Sequence, residues 1–247
     1  MTASQKIFIT GASSGIGAAM AMEYAKRGAT LGLAARRKEK LEQIAQECLT
    51  QGAKHVETYS LDVKDADASE KTAKEFMALG EEGIDTIVAN AGLAISDQLS
   101  KGESSRINHL LNTNILGVTN TIIPFIPQMK KQKDGKCVII SSIAAFNPMP
   151  YFGGYGASKV AVRMLADSWR KTLLKYNIQF TTICPGYVKS EMTDVNEFHM
   201  PFLMATDLAA RKMLRAIDIG KKTYILPWQW RVIIRLKLFN LMLKLLG

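Results

Sequence analysis

Ile7-Phe8-Ile9-Thr10-Gly11-Ala12-Ser13-Ser14-Gly15-Ile16-Gly17 runs from a short apolar stretch, through a turn of glycine and serine, into a helical pattern. A strand that enters a helix through such a turn is the opening unit of a dinucleotide-binding sheet. Glycines there let the backbone bend sharply and approach a pyrophosphate, which rests at the positive end of the helix. The spacing is GxxxGxG rather than GxGxxG. Taken alone, this could also be a plain Gly-rich connection, so the rest of the chain must decide.

Downstream of Gly17 the same alternation continues. Ile7–Thr10, Thr30–Ala35, His55–Ser60, Ile84–Ala89, Lys136–Ser141, Gln179–Cys184 and Thr223–Leu226 read as strands. Gly15–Arg27, Lys38–Gln51, Asp65–Gly80, Ser104–Lys131, Tyr155–Lys175 and Thr206–Ile219 have helical length and composition. Right-handed crossovers then predict an α/β single domain, a Rossmann-type doubly wound parallel sheet of about seven strands with helices on both faces. That domain is expected over residues 1–226, with a basic amphipathic C-terminal tail over 227–247.

The chain has 247 residues, 47% apolar and 22% charged, which is enough to bury one full core and is not a disordered composition. Lys6 leads directly into Ile7-Phe8-Ile9, with no secretory pattern ahead of it. Cys48, Cys137 and Cys184 are odd in number and lack CxxC spacing, which argues against a disulfide framework or a structural zinc. Free thiols in a reducing cytoplasm are expected. His55, His109 and His199 are scattered, so no metal site is expected either. The net charge is +10, and beyond Asp218 the chain carries Lys221, Lys222, Arg231, Arg235, Lys237 and Lys244 with no acid. No nucleic-acid motif accompanies this excess, so nucleic acid is not expected as a partner.

At the end of the second strand the sequence reads Ala34-Ala35-Arg36-Arg37. An acid at this place binds the ribose hydroxyls of NAD, and it would repel a 2′-phosphate by on the order of 3–4 kcal/mol at about 5 Å and an effective dielectric of about 20. Arginine reverses the preference, because its planar fork pairs with phosphate. Arg36 and Arg37 therefore point to NADP(H), unless they merely begin a solvated helix.

Further on stand Ser141-Ser142 and Tyr155-Gly156-Ala157-Ser158-Lys159. On a helix, Tyr155 and Lys159 share one face. An ammonium near a phenol favours the phenolate and lowers its pKa toward the range a general acid/base needs.

With these motifs in order the chain resembles the short-chain dehydrogenase/reductase family, from about Lys6 to Leu226. The resemblance rests on Thr10–Gly17, Asp62-Val63, Asn90-Ala91-Gly92, Asn114 within Asn114-Ile115-Leu116-Gly117, Ser142, Tyr155–Lys159 and Pro185-Gly186. It implies hydride transfer between NADP(H) and a carbonyl or alcohol. Tyr155 would give or take the proton and Ser142 would hold the substrate oxygen. Lys159 would bind the nicotinamide ribose and lower the Tyr155 pKa, and Asn114 would position a water linking Lys159 to solvent. Ser142 is preferred to Ser141 because its distance to Tyr155 resembles the family spacing. The implied cofactor contacts are Gly11, Ser13, Ser14, Gly15, Ile16 and Gly17 at the pyrophosphate, and Arg36 and Arg37 at the 2′-phosphate. Asp62 and Val63 would flank the adenine, Asn90, Ala91 and Gly92 would lie beside the cofactor, and Tyr155, Lys159, Pro185, Gly186, Val188 and Ser190 would lie at the nicotinamide end. A homodimer or homotetramer is implied as well.

Two regions bear on the substrate. Tyr187, Met192, Phe198, Met200, Phe202 and Met204 are expected to line an apolar pocket, which favours a lipophilic acyl, steroid-like or prenyl compound. From Leu236 onward, Lys237, Asn240 and Lys244 fall on one helical face and apolar residues on the rest. Such a helix suits peripheral contact with the inner face of a membrane, or packing on a partner subunit; it is too interrupted by charge to span a bilayer. Two other functions compete. One is a 3-oxoacyl carrier-protein reductase with an acidic partner, and the other is a membrane-associated NADP(H)-binding protein without catalysis.

Overall fold

The computed structural model describes residues 4–80, 83–194 and 199–236. In chain order it contains β1 (Lys6–Thr10), α1 (Gly15–Ala25), β2 (Thr30–Ala35), α2 (Lys38–Thr50), β3 (His55–Ser60), α3 (Ala66–Met77), β4 (Thr86–Ala89) and α4 (Ser104–Leu111). There follow α5 (Gly117–Ile122), α6 (Ile126–Gln132), β5 (Gly135–Ile140), α7 (Gly153–Leu173), β6 (Ile178–Pro185), α8 (Glu191–Asp194), α9 (Thr206–Asp218), β7 (Thr223–Leu226) and α10 (Trp228–Arg235). The seven strands form one parallel sheet in the order β3-β2-β1-β4-β5-β6-β7, a single-domain Rossmann-type arrangement. The order reverses between β1 and β4, which opens a crevice at the carboxyl ends of those strands.

Both faces of the sheet are covered, and the strands show why. Along β1, Ile7 and Ile9 pack on one side with Met20, Tyr24, Leu41 and Met213, while Phe8 packs on the other with Phe76, Phe125 and Val162. Successive side chains of a strand point to opposite faces, so a strand buried on both sides reads as an unbroken apolar run. Phe8 and Phe76 meet with ring centroids 5.4 Å apart, within the range favoured by tilted aromatic pairs.

Three strands have the bounds expected from the sequence, and the others shift by a residue or two at their ends. The helix expected over Ser104–Lys131 is not continuous. It breaks into α4, a π-turn at Asn112–Leu116, α5, a 3₁₀ turn at Ile123–Phe125 and α6. Pro124 and Pro127 lack the N–H that a continuous ladder requires, which accounts for the second break. The helix expected to open at Tyr155 begins two residues earlier, at Gly153.

Trp230 lies beyond the domain limit expected after Leu226, yet it is 1% exposed and packs with Ile143, Tyr187, Met149 and Ile225. The tail helix expected from Leu236 onward lies outside the described residues apart from Leu236 itself. No helix among the described residues is long and apolar enough to cross a membrane.

Candidate active site

A cavity of about 750 Å³ opens along the carboxyl ends of the strands. Its walls begin at the glycine turn. Gly11 has φ +66°, and a Cβ there would lie 2.8 Å from the Ala91 backbone; one on Gly17 would lie 2.4 Å from the Gly11 carbonyl oxygen. The turn, the first residues of α1 and the end of β4 therefore approach one another as only glycine allows. Asn90 stitches them together, donating from Nδ2 to the carbonyls of Thr10 at 3.0 Å and Gly11 at 3.1 Å. Gly11, Ser13, Ser14, Gly15, Ile16, Asn90, Ala91 and Gly92 all line the cavity. Gly17 does not, and serves the close packing of the turn instead.

At one end stand Arg36, Arg37, Asp62 and Val63. Arg37 donates from Nε and Nη2 to Ser13 Oγ at 3.2 and 3.0 Å, and from Nη2 to Ser14 Oγ at 2.7 Å. Its Nη1 donates to Glu191 Oε2 at 2.6 Å. Asp62 accepts from the Lys64 backbone, and this bond together with the Lys64 ammonium holds its carboxyl below the usual carboxylate range despite partial burial.

Ser142, Tyr155 and Lys159 meet on the opposite wall. Ser142 stands two residues past β5 and its Oγ accepts the Ala144 N–H at 3.1 Å, while the hydroxyl of Ser141 is committed to the Lys159 carbonyl at 2.9 Å. That difference separates the two serines in favour of Ser142 as the one whose hydroxyl reaches Tyr155. Lys159 is buried, donates from Nζ to the Ile140 carbonyl at 3.0 Å, and lies 5.7 Å from the Tyr155 ring centre. Burial lowers the Lys159 pKa to about 8. The phenol of Tyr155 is not depressed as the sequence led us to expect. Its burial raises it above the ordinary value, and the hydrogen bond with Ser142 opposes that rise without overcoming it.

Asn114 is fully buried and stands behind this wall rather than on it. Its Oδ1 accepts the Leu93 N–H at 2.7 Å, and its Nδ2 donates to the Leu93 carbonyl at 2.9 Å and to Ser158 Oγ at 3.0 Å. It thus ties the loop after β4 to α7, from within the π-turn at Asn112–Leu116.

Pro185, Gly186, Tyr187, Val188, Ser190 and Met192 complete the lining, together with Met149, Phe152 and Arg106. Of the expected apolar lining, Tyr187 and Met192 reach the cavity. Met204 is drawn into the core, where its backbone bridges Val188, and Phe202 meets Trp230 edge to face with ring centroids 5.8 Å apart, so these two are packing residues. Phe198 lies outside the described residues. Gly186 accepts the indole of Trp230 so closely that a Cβ would fall 2.3 Å from its Nε1.

Asp97 is a residue that sequence reading missed. It accepts the Gly153 and Gly154 N–H groups at 2.6 and 3.0 Å, capping the helix that carries Tyr155 from a loop 56 residues away. An acid preceding a helix by a few residues is legible as a cap, but one supplied from across the fold is not. Among the described residues no group of three or more His, Cys, Asp or Glu is placed to hold a metal ion, and the three cysteines are buried free thiols.

A parallel sheet with its crevice at the β1/β4 reversal, a glycine turn below it and a Ser-Tyr-Lys wall beside it define a nicotinamide-dinucleotide oxidoreductase fold. The chain belongs to the short chain dehydrogenase family, whose model matches residues 5–199. It is 37% identical over 226 residues to an uncharacterized oxidoreductase of Myxococcus xanthus, covering 91% of this chain and 88% of that one. It is also 36% identical over 194 residues to 11-beta-hydroxysteroid dehydrogenase 1A of Arabidopsis thaliana, covering 78% of this chain and 54% of that one. Among solved structures, an alcohol dehydrogenase from the archaeon Thermococcus sibiricus, complexed with 5-hydroxy-NADP, superimposes with a TM-score of 0.81 at 28% identity, covering 91% of this chain and 96% of that one.

Proposed function

We propose that this oxidoreductase transfers hydride between NADP(H) and a lipophilic carbonyl or alcohol. The observation that carries the reading is the shape of the cavity: Ser142, Tyr155 and Lys159 stand at one end and the arginine pair at the other. The residues suit NADP(H). The glycine turn admits a pyrophosphate, and the end of β2 presents Arg36 and Arg37, with Lys40 one turn on and no acid at Ala34 or Ala35. The solved relative's complex with 5-hydroxy-NADP is consistent with this choice.

When bound, the nicotinamide supplies or accepts the hydride at the substrate carbon. In the reducing direction the Tyr155 hydroxyl gives its proton to the carbonyl oxygen, and the Ser142 hydroxyl donates a hydrogen bond to that oxygen as charge develops on it. Burial keeps the Tyr155 proton in place until it is needed. Lys159 binds the ribose and favours the phenolate left behind, and Asn114 holds the loop and α7 together around it. Tyr187, Met192, Met149 and Phe152 give the substrate end its apolar character, and the hydroxysteroid dehydrogenase relative fits a substrate of that kind.

The membrane reading is supported by α10. Trp228 and Val232 of α10, and Leu236 just past its end, are exposed by 68, 43 and 60% at four-residue spacing, beside exposed Arg231 and Arg235. Such a stripe suits the interface of an anionic bilayer.

The test is an NADPH-oxidation screen against aldehydes, ketones, 3-oxoacyl thioesters and steroids, alongside fluorescence titrations with NADPH and NADH. Turnover of an apolar ketone with tighter NADPH than NADH binding is expected. Tighter NADH binding would overturn the cofactor assignment, and turnover confined to carrier-type thioesters would overturn the substrate class.

A further inference from the structure

We infer that Glu191 is an internal competitor for the 2′-phosphate position, a carboxylate that limits how strongly the enzyme separates NADP(H) from NAD(H). The inference rests on the proposed binding of NADP(H). Glu191 opens α8 and lines the same end of the cavity as Ser13, Arg36 and Arg37. Each of its oxygens takes a different cation: Oε2 accepts from Arg37 Nη1 at 2.6 Å, and Oε1 accepts from Lys40 Nζ at 2.5 Å. With two donors on it, the carboxyl is held at about 2 and is ionised at every working pH.

The guanidinium is oriented from the other side. Its Nε and Nη2 are committed to Ser13 and Ser14 in the glycine turn, which leaves Nη1 to face Glu191. A planar carboxylate between Arg37 and Lys40, at the carboxyl end of β2, offers the charge and acceptor pattern that a ribose phosphate would offer to the same donors.

Glu191 is itself exposed, but the backbone segment that carries it is hydrogen-bonded in place. The Ser190 N–H donates to Thr193 Oγ1 at 2.9 Å, Thr193 Oγ1 donates to the Val188 carbonyl at 3.0 Å, and the Lys189 N–H donates to the Met204 carbonyl at 2.9 Å. Val188 and Ser190 also line the cavity, and Ser190 lies against the glycine turn, its Cβ 3.3 Å from where a Cβ on Gly15 would stand. A phosphorylated ribose must displace Glu191 from Arg37 or lie beside its charge, whereas an unphosphorylated ribose meets neither requirement. Glu191 therefore weakens the binding of one cofactor and leaves the other nearly untouched.

The test compares the unmodified protein with Glu191→Gln, an isosteric change at an exposed position. NADPH and NADH are titrated by fluorescence; adenosine 2′,5′-bisphosphate and 5′-AMP, which differ only in the 2′-phosphate, are titrated by calorimetry. In the variant, NADPH and the bisphosphate should bind about 3- to 10-fold tighter, while NADH and 5′-AMP change by less than about twofold. A bisphosphate-to-AMP affinity ratio that is unchanged or lower in Glu191→Gln overturns the role of Glu191. If the unmodified protein already binds the bisphosphate no tighter than 5′-AMP, the cofactor reading itself fails and the inference goes with it.

Discussion

The Asp97 carboxylate accepts the Gly153 N–H at 2.6 Å, so the loop after β4 caps the helix that presents Tyr155 two residues further on. The same loop returns a hydrogen bond from the Asp97 N–H to the Tyr151 carbonyl at 2.8 Å. Negative charge is favoured at a helix N-terminus, and an acid in this place satisfies donors that the helix cannot. Asp97→Ala should lower stability by about 1–2 kcal/mol in denaturant unfolding and reduce kcat more than it changes cofactor affinity. Asp97→Asn keeps an acceptor oxygen and should recover most of both losses. If the alanine and asparagine variants behave alike, the cap does not position Tyr155.

Tyr155→Phe removes only the phenolic oxygen. Turnover should fall by roughly 10²–10⁴, the range for loss of a general acid, with NADPH affinity nearly unchanged. Steady-state kinetics paired with a binding titration measures both, and an unaltered kcat would remove Tyr155 from the chemistry.

Lys159 makes stability depend on pH. Its folded pKa of about 8 lies below the ordinary 10.5, so the unfolded chain holds the proton more tightly between those values and stability rises with pH across that window. Below about pH 8 the penalty is full, on the order of 3 kcal/mol. Lys159→Met should therefore flatten the rise between pH 8 and 10 in chemical denaturation while abolishing turnover. A variant with the same pH slope as the parent would contradict the assignment.

Trp230 decides where the tail can be cut. Trp230→Ala leaves a cavity against Gly186, Tyr187 and Ile143 and should destabilise the protein by about 3–5 kcal/mol. Removing residues 237–247 keeps Trp230 and its described neighbours in the chain, and should release the protein from anionic vesicles without lowering NADPH affinity. Equal co-sedimentation of the full and shortened chains would show that those residues are not the anchor. A change in light-scattering mass with vesicle binding retained would assign them to a subunit contact instead.

Much of the fold was legible because local chemistry produces it. The unbroken apolar run of Ile7, Phe8 and Ile9, the glycine turn, and the alternation of strands and helices each follow from neighbours in the chain, and the order of motifs placed Ser142, Tyr155 and Lys159 at one site. The break inside Ser104–Lys131 was less visible. Pro124 and Pro127 mark the second interruption, but the π-turn around Asn114 has no such residue and depends on contacts with Leu93 and Ser158.

Residue type and spacing specify the parallel sheet and the dinucleotide crevice, and the resemblance to the family picked out Ser142 beside Tyr155 and Lys159. Three-dimensional packing was needed to show which pKa effect dominates at Tyr155, that Asn114 braces the wall from behind, that Asp97 caps α7 and that Glu191 sits on Arg37 and Lys40. It also showed that Trp230, within the stretch read from the sequence as a basic amphipathic tail, is buried on Gly186. One cause is common to all of them. Desolvation, long-range capping and ion pairing are set by groups dozens to more than a hundred residues apart, and no local pattern encodes what will face a side chain once the sheet has closed.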